Sequence, residues 1–208
     1  MKLIIGVPIL FPYIHYKFWK SFMAMKKHEA ELLVTVGSTI SVARNKLVTG
    51  SLRADYLLFI DSDMVLPIDL IDRLLAHKKD VVGALAYSRG YPHDPITLRE
   101  WKPGEYYKTK PTGELIDVDA TGCACLLVKT EVFNKIKQPW FDFSVYKETE
   151  CKGEDVLFCE KVRAAGYKIY VDTGLECGHI SDRVIGSNDW RKPTVLTFDE
   201  FDKMRDKK

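Results

Sequence analysis

Neither common glycine-rich phosphate fingerprint occurs in this 208-residue chain. There is no G-x-x-x-x-G-K-[ST] loop and no G-x-G-x-x-G turn, which weighs against a P-loop NTPase and a dinucleotide dehydrogenase. Cysteine is sparse: Cys123, Cys125, Cys151, Cys159 and Cys177 make an odd count with no C-x-x-C pair. That pattern argues against a disulfide framework and a structural zinc site, and fits a reduced, intracellular (cytoplasmic) protein. A charge bias is also missing. Formal net charge is +2, and basic residues are interleaved with acidic ones, so no global electrostatic case exists for a nucleic-acid partner. No apolar run approaches the roughly 18 residues of a membrane span. Lys2 to Ile14 imitates a short signal peptide, but Pro8 and Pro12 interrupt it and no small-residue cleavage site follows. A first core strand is the expectation there. Internal repeats and low-complexity segments are absent.

What is present is an ordinary core-forming composition, 46% hydrophobic, at a length that predicts one domain over 1–208. Lys2–Val7 reads as a strand stopped by Pro8. Tyr13–Lys27 is a helix with Phe18, Phe22 and Met25 on one face. Glu31–Val36 is a second strand. A helix follows to about Arg53, with Ser38, Thr39 and Ser41 as capping oxygens and Arg44 and Asn45 in its first turns. The apolar run to Ile60 is a third strand. Pro67 opens a helix whose apolar face is Ile68, Ile71, Leu74 and Leu75, and Asp80–Ala86 is a fourth strand. This βαβαβαβ order predicts an α/β fold with a mostly parallel, Rossmann-like central sheet flanked by helices.

The alternation then breaks. Residues 87–119 predict a small antiparallel ribbon with strands at Ile96–Arg99 and Tyr106–Thr109. Gly122–Lys129 is a strong strand with Cys123 and Cys125 on one face. Thr130 starts a short helix carrying Val132, Phe133 and Ile136. Glu154–Ala165 is a helix ended by Gly166, and Lys168–Val171 is the last clear strand. The chain from Asp172 reads as irregular up to a helix-prone tail at Asp199–Lys208.

The chemistry centres on Asp61-Ser62-Asp63, where the third strand ends in two carboxylates one residue apart. Ligands in open α/β sheets bind outside the carboxyl ends of the strands. Two acids placed there repel, and a divalent cation joins them economically. An Asx turn before Pro67 is the plainer alternative. Glu154-Asp155 opens a helix, where acids complement the macrodipole; there they also suit a general base. His179, just after the last strand, reads as packing or as a metal ligand. Arg44 reads as a surface ion pair or as a bidentate partner of a diphosphate. His15, His28, His77 and His93 read as surface or packing residues. The cysteines read as small buried hydrophobes.

Taken together, Gly6-Val7-Pro8, Ala43-Arg44-Asn45, Phe59-Ile60-Asp61-Ser62-Asp63, Gly153 to Cys159 and Cys177-Gly178-His179 resemble a glycosyltransferase of the GT-A fold, similar to family 2 and its relatives. The likeness spans residues 1 to about 180. It implies a nucleotide-binding part over about 1–86, an acceptor and catalytic part over about 87–180, and a lid and tail over 181–208. It implies a nucleotide-sugar donor, UDP favoured, and a saccharide, lipid-linked or protein acceptor. Pro8 would face the base and Arg44 the nucleotide. Ser62 lies within the donor motif. Asp61 would contact the ribose or the ion, and Asp63 and His179 would ligate Mn2+ or Mg2+. Thr121 and Gly122 would approach the sugar. Asp155, with Glu154, would supply the base of an inverting reaction. Ile180–Pro193 would order as a lid over the donor. A metal-dependent nucleotidyltransferase and a non-catalytic nucleotide-sugar-binding relative are the competing readings.

Overall fold

The computed structural model describes residues 1–147, 150–181 and 184–185. The first half alternates β1 (Leu3–Ile9), α1 (Tyr16–Ala24), β2 (Glu31–Val36), α2 (Ile40–Ser51), β3 (Tyr56–Ile60), the short β4 (Met64–Val65), α3 (Leu70–Ala76) and β5 (Val81–Leu85). Next come β6 (Thr97–Lys102), β7 (Glu105–Lys108), β8 (Leu115–Val118), β9 (Ala120–Thr121) and β10 (Cys125–Lys129). The chain continues through α4 (Thr130–Lys135), β11 (Ser144–Lys147), β12 (Glu150–Lys152), α5 (Glu154–Ala164), β13 (Ile169–Glu176), β14 (Gly178–Ile180) and β15 (Val184–Ile185).

A seven-stranded sheet in the order β2-β1-β3-β10-β5-β13-β8 forms the frame. Five strands run one way; β10 and β8 run against them. The sheet is thus mostly parallel, but β5 does not lie beside β3 as simple alternation predicts. β10 is inserted between them, antiparallel to both. An apolar run buried on both faces reads the same in either direction, so its orientation cannot be taken from periodicity. The expected ribbon is β6 with β7, and β9 pairs along its other side.

The core lies on both faces of this sheet. Along β3, Leu57 and Phe59 enter one cluster, with α2, α4 and α5; Leu58 and Ile60 enter the other, with α1 and α3. This period-two split explains why the strand is uniformly apolar. Each such fully buried side chain contributes about 1.5–3 kcal/mol. Phe59 also meets the rings of Phe133 and Phe141 edge-on, at 6.4 and 5.4 Å between centroids. Edge-on ring pairs of this kind contribute about 0.5–1.5 kcal/mol beyond area burial. Gly166, at φ +86, ends α5 in a conformation that glycine adopts without strain.

Several elements depart from the expectations. β1 continues through Pro8 to Ile9. It pairs with β3 only as far as Gly6, so the missing N–H interrupts no β3 ladder. Ile68 is exposed, because Pro67 to Asp69 form a turn ahead of α3 and the helix begins only at Leu70. Cys123 and Cys125 enter opposite clusters, since β10 starts at Cys125 and the preceding residues are not in its pleat. β13 reaches Glu176 across an irregularity between Asp172 and Glu176, where Thr173-Gly174 break the apolar pattern. β14 follows it directly. The expected tail helix and all but Ile180, Ser181, Val184 and Ile185 of the expected lid lie outside the described residues. Among the described residues, no helix is long and apolar enough to cross a membrane.

Candidate active site

Strand direction explains why distant residues meet. β3 delivers Asp61 to the carboxyl edge of the parallel strands. β10 runs the other way, so its leading residues, Gly122 to Ala124, reach that same edge; the Asp61 amide donates to the Ala124 carbonyl at 2.9 Å. α2 and α5 run back along the sheet, so their N-terminal ends, bearing Arg44 in the second turn of α2 and Glu154-Asp155 in the first turn of α5, also lie there. β14 pairs antiparallel with β4, setting His179 opposite Met64, and the Ile180 amide donates to the Asp63 carbonyl at 2.7 Å.

These residues line a cleft of about 470 Å³, a size that suits a small-molecule ligand. Pro8, Arg44, Asp61, Ser62, Asp63, Gly122, Glu154, Asp155 and His179 all face it. Thr121 does not. It is buried, and its hydroxyl donates to the Ile96 carbonyl at 2.7 Å, so it braces the wall instead of approaching a ligand.

On one side, Arg44 is buried to 3% exposure, which excludes the surface ion pair. Its Nη2 donates to both carboxylate oxygens of Asp61 at 3.0 Å, and its Nη1 donates to Glu154. Burial opposes the guanidinium charge, but Asp61 and Glu154 outweigh it and hold the group more firmly protonated than usual. Asn45, the next residue, clamps the following layer. Its amide donates to the Phe141 carbonyl at 2.8 Å, and its oxygen accepts from the Trp140 amide at 3.0 Å. The Phe141 ring in turn lies 5.8 Å from the guanidinium.

Asp63 and His179 form a second group. His179 Nδ1 lies 2.7 Å from the Tyr87 carbonyl, which can only accept, so that nitrogen carries the hydrogen. Nε2 then faces Asp63 Oδ2 at 3.3 Å. Arg89 Nη1 also lies 3.3 Å from that oxygen. Burial would raise the Asp63 carboxyl, but the hydrogen bond and charge of His179, with Arg89, bring it below its usual value. His179 moves the opposite way: burial would lower it, and the bond to Asp63 outweighs that and raises it.

Asp155 stands apart from both. One oxygen accepts from the Val156 amide at 2.8 Å; the other faces Gly122, 3.7 Å from where a Cβ there would sit. Burial pushes its carboxyl up against the opposing charge of Arg44, and Glu154 is raised for the same reason.

As a ligand set for a divalent cation, the three sequence candidates divide. Asp61 has both oxygens engaged by Arg44, whereas Asp63 and His179 present an oxygen and an imidazole nitrogen to one point. Among the described residues, no group of three or more His, Cys, Asp or Glu side chains could hold a metal by itself. A carboxylate and an imidazole backed by a carbonyl do suit Mn2+, with other positions left to a ligand's oxygens. Sequence reasoning missed Arg89. It sits in a Gly/Pro-rich stretch with no periodic signal, and only the position of Asp63 makes it notable.

No family model and no curated protein matches this sequence. Among solved structures, A197 from STIV aligns with a TM-score of 0.66 at 20% identity, covering 91% of this chain and 92% of that one. GalNAc-T7, solved with UDP, GalNAc and Mn2+, aligns with a TM-score of 0.61 at 11% identity, covering 87% of this chain. This chain spans only 44% of the GalNAc-T7 chain. At such identities the likeness is one of architecture, and the fold of this chain is GT-A-like.

Proposed function

We propose that this protein is a metal-dependent glycosyltransferase, family 2-like, that moves a sugar from a nucleotide-sugar donor to a hydroxyl acceptor. The observation that carries this is a single one. The Asp63–His179 pair and the separately held Asp155 carboxylate line the same cleft, at the carboxyl edge of a GT-A-like sheet. UDP is the favoured nucleotide and Mn2+ the favoured ion; both are named with GalNAc-T7.

The residues divide the work. Cleaving the sugar–phosphate bond leaves extra charge on the diphosphate and a cationic sugar. A divalent cation on Asp63 and His179 would supply Lewis-acid stabilisation to that diphosphate. Arg89, mostly exposed and already beside Asp63, can turn from the carboxylate to a phosphate oxygen. Asp155 accepts the proton of the incoming hydroxyl. Its raised pKa makes it a better base than an exposed aspartate, and one oxygen is fixed while the other faces the cleft. Glu154 is occupied by Arg44, so its role is to anchor Arg44 and, through it, Asp61. A base on the acceptor side gives inversion at the anomeric carbon.

The test is a donor screen. UDP-, GDP- and other nucleotide sugars are incubated with the protein, with and without Mn2+, and nucleotide release and donor binding are measured. Metal-dependent turnover or binding of at least one donor is expected. Its absence with every donor would remove the proposal.

A further inference from the structure

Helix α1 carries two apolar stripes where one would suffice. Phe18 and Phe22 turn into the core, with Met25 just beyond the helix. At 3.6 residues per turn, Tyr16, Trp19 and Met23 share a second, outward stripe, and each is more than half exposed. The preceding loop extends it. Phe11 and Tyr13 are exposed and stacked at 5.7 Å, and both line the mouth of the cleft.

The side chains of this segment carry charge of one sign, and among the described residues carboxylates from elsewhere meet it only at its ends, as Glu31 does at Lys2 (3.7 Å) and Asp72 at His28 (2.6 Å). From Met1 to His28 there is no acidic residue, although the chain holds 29 acids, and Lys2, Lys17, Lys20, Lys26 and Lys27 all fall in this stretch. Lys27 is used locally, capping the end of α1 through the Phe22 and Met25 carbonyls at 2.6 and 3.1 Å. Lys17, Lys20 and Lys26 form no ion pair among the described residues.

Indole and phenol rings beside ammonium groups in no ion pair, on a segment without acidic residues, match the boundary of an anionic bilayer. The rings settle at headgroup level, and the lysines are drawn to phosphate. A second copy is a poor occupant, because it would bring Lys17 and Lys20 of one helix against the same lysines of the other. We propose that the outer face of α1, with the loop at residues 10–15, docks this protein on an anionic phospholipid surface and holds the cleft mouth at that surface. One consequence rests on the transferase reading: an acceptor anchored in the same surface would reach the cleft without leaving it. Docking itself requires neither donor nor turnover, so the two readings fail separately.

The experiment is sedimentation of the full chain with phosphatidylcholine vesicles, with and without phosphatidylglycerol, at low and high salt. The chain should bind the anionic vesicles and release in salt. Lys17→Gln/Lys20→Gln should lower the partition coefficient on anionic vesicles about thirtyfold, or about 2 kcal/mol at roughly 1 kcal/mol per lysine. Tyr16→Ser/Trp19→Ser should lose binding. Trp19→Phe should keep binding but lose a vesicle-induced fluorescence blue shift. All these side chains are exposed or partly exposed, so thermal melting should not change. No sedimentation with anionic vesicles at low salt would overturn the proposal, as would unchanged binding by both double variants. A dimer that the same variants dissociate would assign the face to a second copy and overturn it too.

Discussion

Replacing Arg44 with methionine keeps the bulk of the side chain and removes its charge. Asp61 and Glu154 then lose the guanidinium that holds them, with Glu154 buried. Breaking one side of a buried ion pair costs about 3–5 kcal/mol. For a chain of this size, that corresponds to a fall in Tm of roughly 6–20 °C, at about 2–4 °C per kcal/mol. The loss should depend on pH. Burial already raises Glu154, and Arg44 is what restrains it. Below the usual carboxylate range, Glu154 is protonated in folded and unfolded chains alike, and its isolation costs little. As pH rises, the unfolded chain releases that proton first, and the penalty grows until the folded-state pKa is passed. Arg44→Met should therefore be closest to wild type in acid and furthest from it at neutral pH. Urea denaturation at pH 5 and pH 7.5 reads this directly, and Glu154→Gln in the Arg44→Met background should recover part of the loss. A loss that is equal at both pH values and untouched by Glu154→Gln would refute the argument.

Asp155→Asn keeps the shape but cannot accept a proton, so transfer should fall about 10²–10⁴-fold while calorimetry finds donor affinity unchanged. Asp63→Ala should weaken Mn2+-dependent donor binding by at least the roughly 10–100-fold that outer-shell changes cost at metal sites, with metal-free binding unaffected. At Gly122, a Cβ would meet only ordinary contacts, at 3.4 Å from Ile96 and 3.7 Å from Asp155. Gly122→Ala should therefore melt like wild type yet transfer more slowly, because the methyl group crowds the open oxygen of Asp155. Gly174 is the opposite case. A Cβ there would lie 2.6 Å from the Gly113 carbonyl, so Gly174→Ala should cost about 1–3 kcal/mol in urea denaturation with no direct effect on the cleft.

The elements most legible in the sequence are those whose pattern reports their surroundings. β3 is apolar on both faces because it is buried on both, and its end at Asp61 marks the sheet edge. α5 carries its acids in the first turn and Gly166 after its last. Strand direction was not legible, so β10 between β3 and β5 could only be found in three dimensions. The site divides the same way. Asp61, Asp63, Asp155 and His179 stand out because they bear ionisable groups at strand or helix ends, the positions that an open α/β sheet turns toward its ligand-binding edge. That Asp61 turns to Arg44, while Asp63 turns to His179, is a matter of side-chain direction, which spacing does not carry. Thr121 lies beside Gly122 in the chain, but alternation turns its hydroxyl into the wall. Arg89 lies in a segment without periodicity.

The central claim concerns one point in space, between Asp63 and His179. Anomalous diffraction from crystals grown with UDP and Mn2+ locates the ion independently of any assay. The account predicts a single strong peak within coordination distance of Asp63 and His179 Nε2, with diphosphate oxygens beside it and Asp61 still bound by Arg44. An ion seated on Asp61, or UDP bound with no ion and with Asp63 still held by His179 and Arg89, would contradict it.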